Sequence, residues 1–142
     1  MNGVNEQQVP NLEELDEREA HRFLAGLLSG LDPEEEYKAR HAEDYAMEMP
    51  QSGERIRGRE RMREFQKAYP TAAPSIRVRR VLVKEGLWVA EGIYDAGGEQ
   101  ALDLVLIFEL RDGRMWRDTW YFAEPFEAPE WRAQWVERME DR

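Results

Sequence analysis

SIRVRRVLVK at 75–84, LWVAEGIYD at 87–95, QALDLVLIFEL at 100–110 and RMWRDTWYFA at 114–123 are four successive extended runs, and they decide the fold. Between them lie Glu85-Gly86, Ala96-Gly97-Gly98 and Arg111-Asp112-Gly113. Short glycine-bearing turns between such runs mean hairpins, and hairpins in series mean a four-stranded antiparallel meander. In the third run Leu102, Leu104, Leu106, Phe108 and Leu110 share one face, which is expected to be concave and to carry the core. The opposite face holds Ala101, Asp103, Val105, Ile107 and Glu109. Val105 and Ile107 are too apolar for open water, so this convex side is expected to form a homodimer interface. In the fourth run Trp116, Asp118, Trp120 and Phe122 alternate with Arg117, Thr119 and Tyr121. Three large aromatics on one face place the first set inward, with Asp118 among them.

Upstream the apolar period is helical. Residues 1–10 form a polar lead-in, and from Asn11 a stripe of Leu12, Leu15, Phe23, Leu24, Leu27, Leu28 and Leu31 predicts a helix ending near Gly30. Asp32-Pro33-Glu34-Glu35 reads as a capped helix start, carrying Tyr37 inward and finishing near His41. Tyr45 to Met49 is a short strand stopped by Pro50, and Gln51 to Glu54 a turn. Gly58 precedes a third helix with Met62, Phe65 and Tyr69 on its inner face, ended by Pro70. Helices first and strands afterwards give an α+β class. The expected architecture is three N-terminal helices on the concave face of a curved four-stranded meander, with one short strand added, forming a half-open cone. The domain spans 11–125. Beyond it, 126–142 carries Trp131, Trp135 and Met139 at i, i+4 and i+8, which predicts a C-terminal helix packed on the same domain or on a dimer partner.

Composition narrows the partners. The 142 residues carry 30 Asp and Glu against 20 Lys and Arg, a net charge of -10, which disfavours nucleic acid and anionic membrane surfaces. No cysteine is present, which removes disulfides and thiol chemistry and suits the cytoplasm. The start is polar and acidic, unlike a signal peptide, and no apolar run is long enough to span a bilayer. His21 and His41 lack metal-ligand spacing, so neither a metal nor another cofactor is expected.

HAEDYAMEMP at 41–50, then Arg57-Gly58-Arg59-Glu60 and a helix with Phe65, resembles the SnoaL-like family of the nuclear transport factor two-like superfamily. The last hairpin, from Asp112-Gly113 to Tyr121-Phe122-Ala123-Glu124-Pro125, fits the same resemblance, which covers about residues 12–125. It implies a cone-shaped α+β barrel, a homodimer and a pocket for a small hydrophobic molecule. The superfamily includes isomerases, cyclases, dehydratases, an epoxide hydrolase and non-catalytic modules, so activity has to be argued from the site.

Similarity to ketosteroid isomerases puts Met49 where their general base stands, Phe23 near their oxyanion tyrosine and Leu106 near their second acid. None of the three can perform those roles. Similarity to limonene-type epoxide hydrolases puts Glu91 at their first acid but Val89 at the bridging arginine, with Asp118 one inward step before their second acid at Trp120. Similarity to SnoaL-type polyketide cyclases puts Glu124 four residues after Trp120, where they carry an aspartate. A carboxylate in an apolar pocket has its pKa raised toward neutrality, which suits general acid or base work. Asp118, Glu91 and Glu124 are therefore the candidate catalytic acids. Tyr45, Glu48, Met49, Phe65, Trp88, Leu106, Trp120 and Phe122 are the candidate ligand-binding residues. The function expected is an aromatic-lined pocket for a small hydrophobic or polyketide-like molecule, with acid–base catalysis of the cyclase, isomerase, dehydratase or hydrolase type. A non-catalytic binding or protein-interaction module is the alternative.

Overall fold

The computed structural model describes residues 9–68, 75–95 and 101–140. The four long runs form strands β3 (Ser75–Lys84), β4 (Leu87–Asp95), β5 (Leu102–Arg111) and β6 (Arg114–Ala123), each antiparallel to the next. Asp112 and Gly113 both take positive φ (55° and 74°), as a two-residue hairpin loop between right-twisted strands requires. Two short strands, β1 (Ala46–Met49) and β2 (Glu54–Arg57), extend the sheet to the order β2-β1-β6-β5-β4-β3. β2 is an addition to the expected architecture. It pairs antiparallel with β1, whereas β1 runs parallel to β6.

Three helices follow the predicted order. α1 (Glu17–Leu27) starts at a capping box in which Asp16 accepts from the Glu19 N–H and Glu19 accepts from the Asp16 N–H. Its Ala20, Leu24 and Leu27 recur at i, i+4 and i+7 and bury against the sheet. The apolar stripe read as one helix from Asn11 is broken here, because a 3₁₀ turn at Leu12–Glu14 precedes the cap and Leu31 stands 88% exposed. α2 (Pro33–Ala39) is capped by Asp32, and α3 (Arg59–Lys67) follows Gly58, whose φ of 94° favours a residue without a Cβ. Tyr69 and Pro70, expected to finish that helix, lie outside the described residues.

The inner face of the sheet holds the core. Trp88, Ala90, Leu104, Leu106, Phe108, Leu110 and Met115 pack against Leu24 and Leu27. A second buried cluster gathers Tyr45, Met47, Ile56 and Met62. Val105 is 39% exposed on the outer face. Gly92 sits opposite Val78, and a Cβ there would lie 2.9 Å from the Arg77 carbonyl oxygen. Gly92→Ala is accordingly expected to push the two strands apart and to cost about 1–3 kcal/mol, read as a lowered urea midpoint with an unchanged slope.

Two expectations are corrected. Trp116 does not point inward with Asp118. The β5–β6 register shifts between Glu109 and Leu110, so Leu110 faces Met115 while Glu109 faces Arg117. The extra residue reverses the side-chain parity, which buries Met115 and leaves Trp116 stacked under the Arg111 and Arg117 guanidinium groups at 4.0 and 4.6 Å. The C-terminal segment also forms no α-helix. Glu130–Trp135 is a six-residue 3₁₀ helix with no side-chain cap, and Val136 after it is extended. Trp131 and Trp135 are 74% and 71% exposed, so they do not pack on their own domain.

Candidate functional site

The bulge in β6 sets the site. Past it, Asp118, Trp120 and Phe122 pair with Phe108, Leu106 and Leu104 on the core face, while parallel β1 brings Met47 beside Asp118. α2 and α3 supply the facing wall. Between them lies a cavity of about 410 Å³, of a size for a small organic ligand. Met47, Met49, Met62, Phe108, Trp120 and Phe122 contribute much of its apolar wall. Pro33, Glu34, Phe65 and Lys67, all exposed, form the rim.

Asp118 is 3% exposed in this wall. The Tyr45 hydroxyl, itself buried, donates to Oδ2 at 2.6 Å. Burial pushes the carboxyl pKa up to about 6, against the opposing pull of the Tyr45 hydrogen bond, the Arg40 charge and the Trp120 indole N–H. The same burial, together with the adjacent carboxylate, raises Tyr45 well above its ordinary value, so it remains a hydrogen-bond donor. Arg40 lies 5.4 Å from the Tyr45 ring centroid and 3.8 Å from Glu36 Oε1. It donates to Gln66 at 3.4 Å, and Gln66 donates to Glu36 at 3.3 Å. Burial raises the Glu36 pKa, with Arg40 and Gln66 acting in the opposite sense. Glu36, Arg40 and Gln66 line the same cavity as Asp118 and tie α2 to α3.

Of the residues singled out from the sequence, Asp118, Met49, Phe65, Trp120 and Phe122 line this cavity, and Tyr45 stands behind Asp118. The other five do not reach it. Glu91 lies on the outer face, bonded to Arg80 at 2.9 Å, because the inward positions of β4 belong to Trp88, Ala90 and Gly92. Glu48 points outward to Arg55 at 2.7 Å, since Met47 and Met49 take the inner face of β1. Glu124 is exposed beyond the end of β6, on an open depression with Gln51 and Ser52. Trp88 is a core residue against Phe23 (ring centroids 6.3 Å apart), and Leu106 is fully buried in the same core. Glu91→Gln is expected to change stability by less than about 1 kcal/mol and to leave ligand binding unaltered, as measured by denaturation and titration of the variant.

The sequence reading missed Glu36, Arg40 and Gln66. It turned Tyr37 inward on α2, whereas the buried positions there are Glu36, Ala39 and, just past the helix, Arg40. Tyr37 instead sits at the cavity edge under the Arg59 and Arg63 guanidinium groups. The i, i+4 spacing of Glu36 and Arg40 was the available signal. Among the described residues no group of three or more carboxylates and imidazoles is arranged to hold a metal, and no helix is long and apolar enough to cross a membrane.

The SnoaL-like domain family matches residues 20–118. A nuclear transport factor two-like protein of unknown function from Burkholderia xenovorans LB400 is 34% identical, with a TM-score of 0.75 over 86% of this chain and 94% of its own. A provisionally assigned ketosteroid isomerase from Kribbella flavida DSM 17836 is 30% identical, with a TM-score of 0.73 over 83% of this chain and 85% of its own. An LEH-like epoxide hydrolase from M. tuberculosis, 20% identical, shares the fold at a TM-score of 0.61 over 75% of this chain and 84% of its own. No functionally curated protein matches. With its helices before a curved sheet, its cavity between them and this family match, the chain belongs to the SnoaL-like domain family of the nuclear transport factor two-like superfamily.

Proposed function

We propose that the protein binds a small hydrophobic or polyketide-like molecule in the cavity and transfers a proton on it through Asp118. One observation carries this reading: a buried carboxylate, held at Oδ2 by Tyr45, lies in an apolar stretch of wall beside Trp120. A group that titrates near pH 6 is close to the optimum for a general base that takes a proton and later returns it. Tyr45 fixes the carboxylate at Oδ2. The reaction class that uses one such group is proton abstraction next to a carbonyl, or activation of a water.

The test uses 5-nitrobenzisoxazole, an apolar carbon acid. Transfer of its C3 proton to Asp118 breaks the N–O bond and gives a coloured cyanophenolate. Turnover is expected to rise with pH through an apparent pKa of about 6. A rate equal to that of Asp118→Asn would reduce the protein to a non-catalytic binder. In the same reading two copies associate through the outer face, where Leu82, Val105 and Tyr121 remain 46%, 39% and 39% exposed. Light scattering at micromolar concentration is expected to give a dimer, and a monomer there would refute that interface.

A further inference from the structure

Two apolar surfaces of this chain stand uncovered at the same time. One is the arm that follows β6, where Phe126, Trp131, Trp135 and Met139 are each more than two-thirds exposed. The other is the outer face of the sheet. There the registers set Ile107, Val89 and Leu82 side by side across β5, β4 and β3, and pair Val105 with Tyr121 in the next row. Leu82, Val105 and Tyr121 are each more than one-third exposed with the arm present, so the arm of the same chain does not cover them. Large apolar side chains gathered on a surface mark an interaction site, and each of these surfaces lacks what the other offers.

Charge matches them as well. Residues 126–140 carry Glu127, Glu130, Glu137 and Glu140 against Arg132 and Arg138. The edge strand β3 has no acid, and its exposed charged residues are Arg77, Arg79, Arg80 and Lys84. Arg80 is held by Glu91, while Arg77 and Lys84 stand on the outer face to either side of Leu82. Two chains of net charge -10 repel one another, so association is favoured where an acidic segment of one meets a basic strip of the other.

We infer that residues 126–140 lie on the outer sheet face of a second copy, with the aromatics on the Leu82, Val89 and Ile107 row and the glutamates toward the basic residues of β3. Two-fold symmetry makes the exchange reciprocal, so each copy gives one arm and receives one. Phe126, Trp131 and Trp135 carry roughly 150–250 Å² apiece, and two arms therefore remove on the order of 1,000 Å² of aromatic surface, enough for a stable dimer. The inference rests on the outer-face association proposed above and names the segment that covers that face.

Trp131→Glu/Trp135→Glu in the full chain is expected to keep the wild-type circular dichroism, because neither indole is buried in its own domain. Light scattering is expected to show the dimer weakened by about tenfold or more. Leu82→Glu, from the opposite surface, should weaken it likewise. A double variant that dimerises as tightly as the wild type removes the arm from the interface and leaves the outer-face association standing. A wild-type monomer at micromolar concentration overturns both. The chain has no cysteine, so Gln134→Cys takes benzophenone maleimide at one position. Irradiating a mixture of isotope-labelled and unlabelled protein is expected to join the arm of one copy to a β3–β5 peptide of the other. A cross-link within one chain, or to α2 and α3 at the cavity mouth, places the arm elsewhere and overturns the inference.

Discussion

Asp118→Asn is expected to abolish proton transfer in the cavity and, in the same protein, to raise stability at neutral pH. Loss of a positioned base removes about 10²- to 10⁴-fold in rate. The stability effect follows from linkage. Burial raises the folded-state pKa from 3.8 to about 6, so between those values the native state binds the proton that the unfolded state has released. Stability therefore falls as pH rises through this window, and the loss is complete above it. A shift of about two units corresponds to about 3 kcal/mol. Asparagine keeps the shape and still accepts from Tyr45 at one atom, but its amide N–H₂ replaces the unpartnered Oδ1. That unpaired donor reduces the gain, to about 1–3 kcal/mol. Thermal unfolding across pH checks the sign: the variant should exceed the wild type at about pH 8 and converge with it near pH 4. A variant less stable than the wild type at every pH would show that the charged carboxylate supports the fold through Tyr45 and Arg40.

Trp88→Ala is expected to cost about 3–5 kcal/mol, a large part of the roughly 5–15 kcal/mol that holds a domain of this kind. Trp88 is 1% exposed and meets Phe23 edge-on, with the rings 70° apart. Its removal leaves a hole under α1 that Ala20, Leu24 and the sheet cannot close without moving. Chemical denaturation measures the loss. Trp88→Phe, which keeps part of the volume, should be less destabilised and should bind 2-methylnaphthalene like the wild type. A change in that affinity would return Trp88 to the ligand wall, where the sequence alone had placed it.

The errors share a cause. Period-two alternation reads strands well but assumes unbroken parity, and the bulge at Glu109/Leu110 breaks it. Reading inward from Trp116 gave the right orientation for Asp118, Trp120 and Phe122 and the wrong one for Trp116 itself. Glu91 and Glu48 alternate with apolar neighbours, and alternation does not say which set faces the helices. Only their partners, Arg80 and Arg55, show that both face away.

The chain's own residues were sufficient to specify the meander, because hairpin turns and apolar periods act between near neighbours, and the same pattern identified the family. The acid at Asp118 was visible as a carboxylate among aromatics. What surrounds it was decided by tertiary structure alone. Tyr45 is 73 positions away and meets Asp118 only because β1 runs parallel to β6. Arg40 and Gln66, on α2's end and on α3, are brought to the same cavity by helices packed over the sheet. Burial, hydrogen bonding and the pKa they set are properties of that packing, and no local pattern carries them.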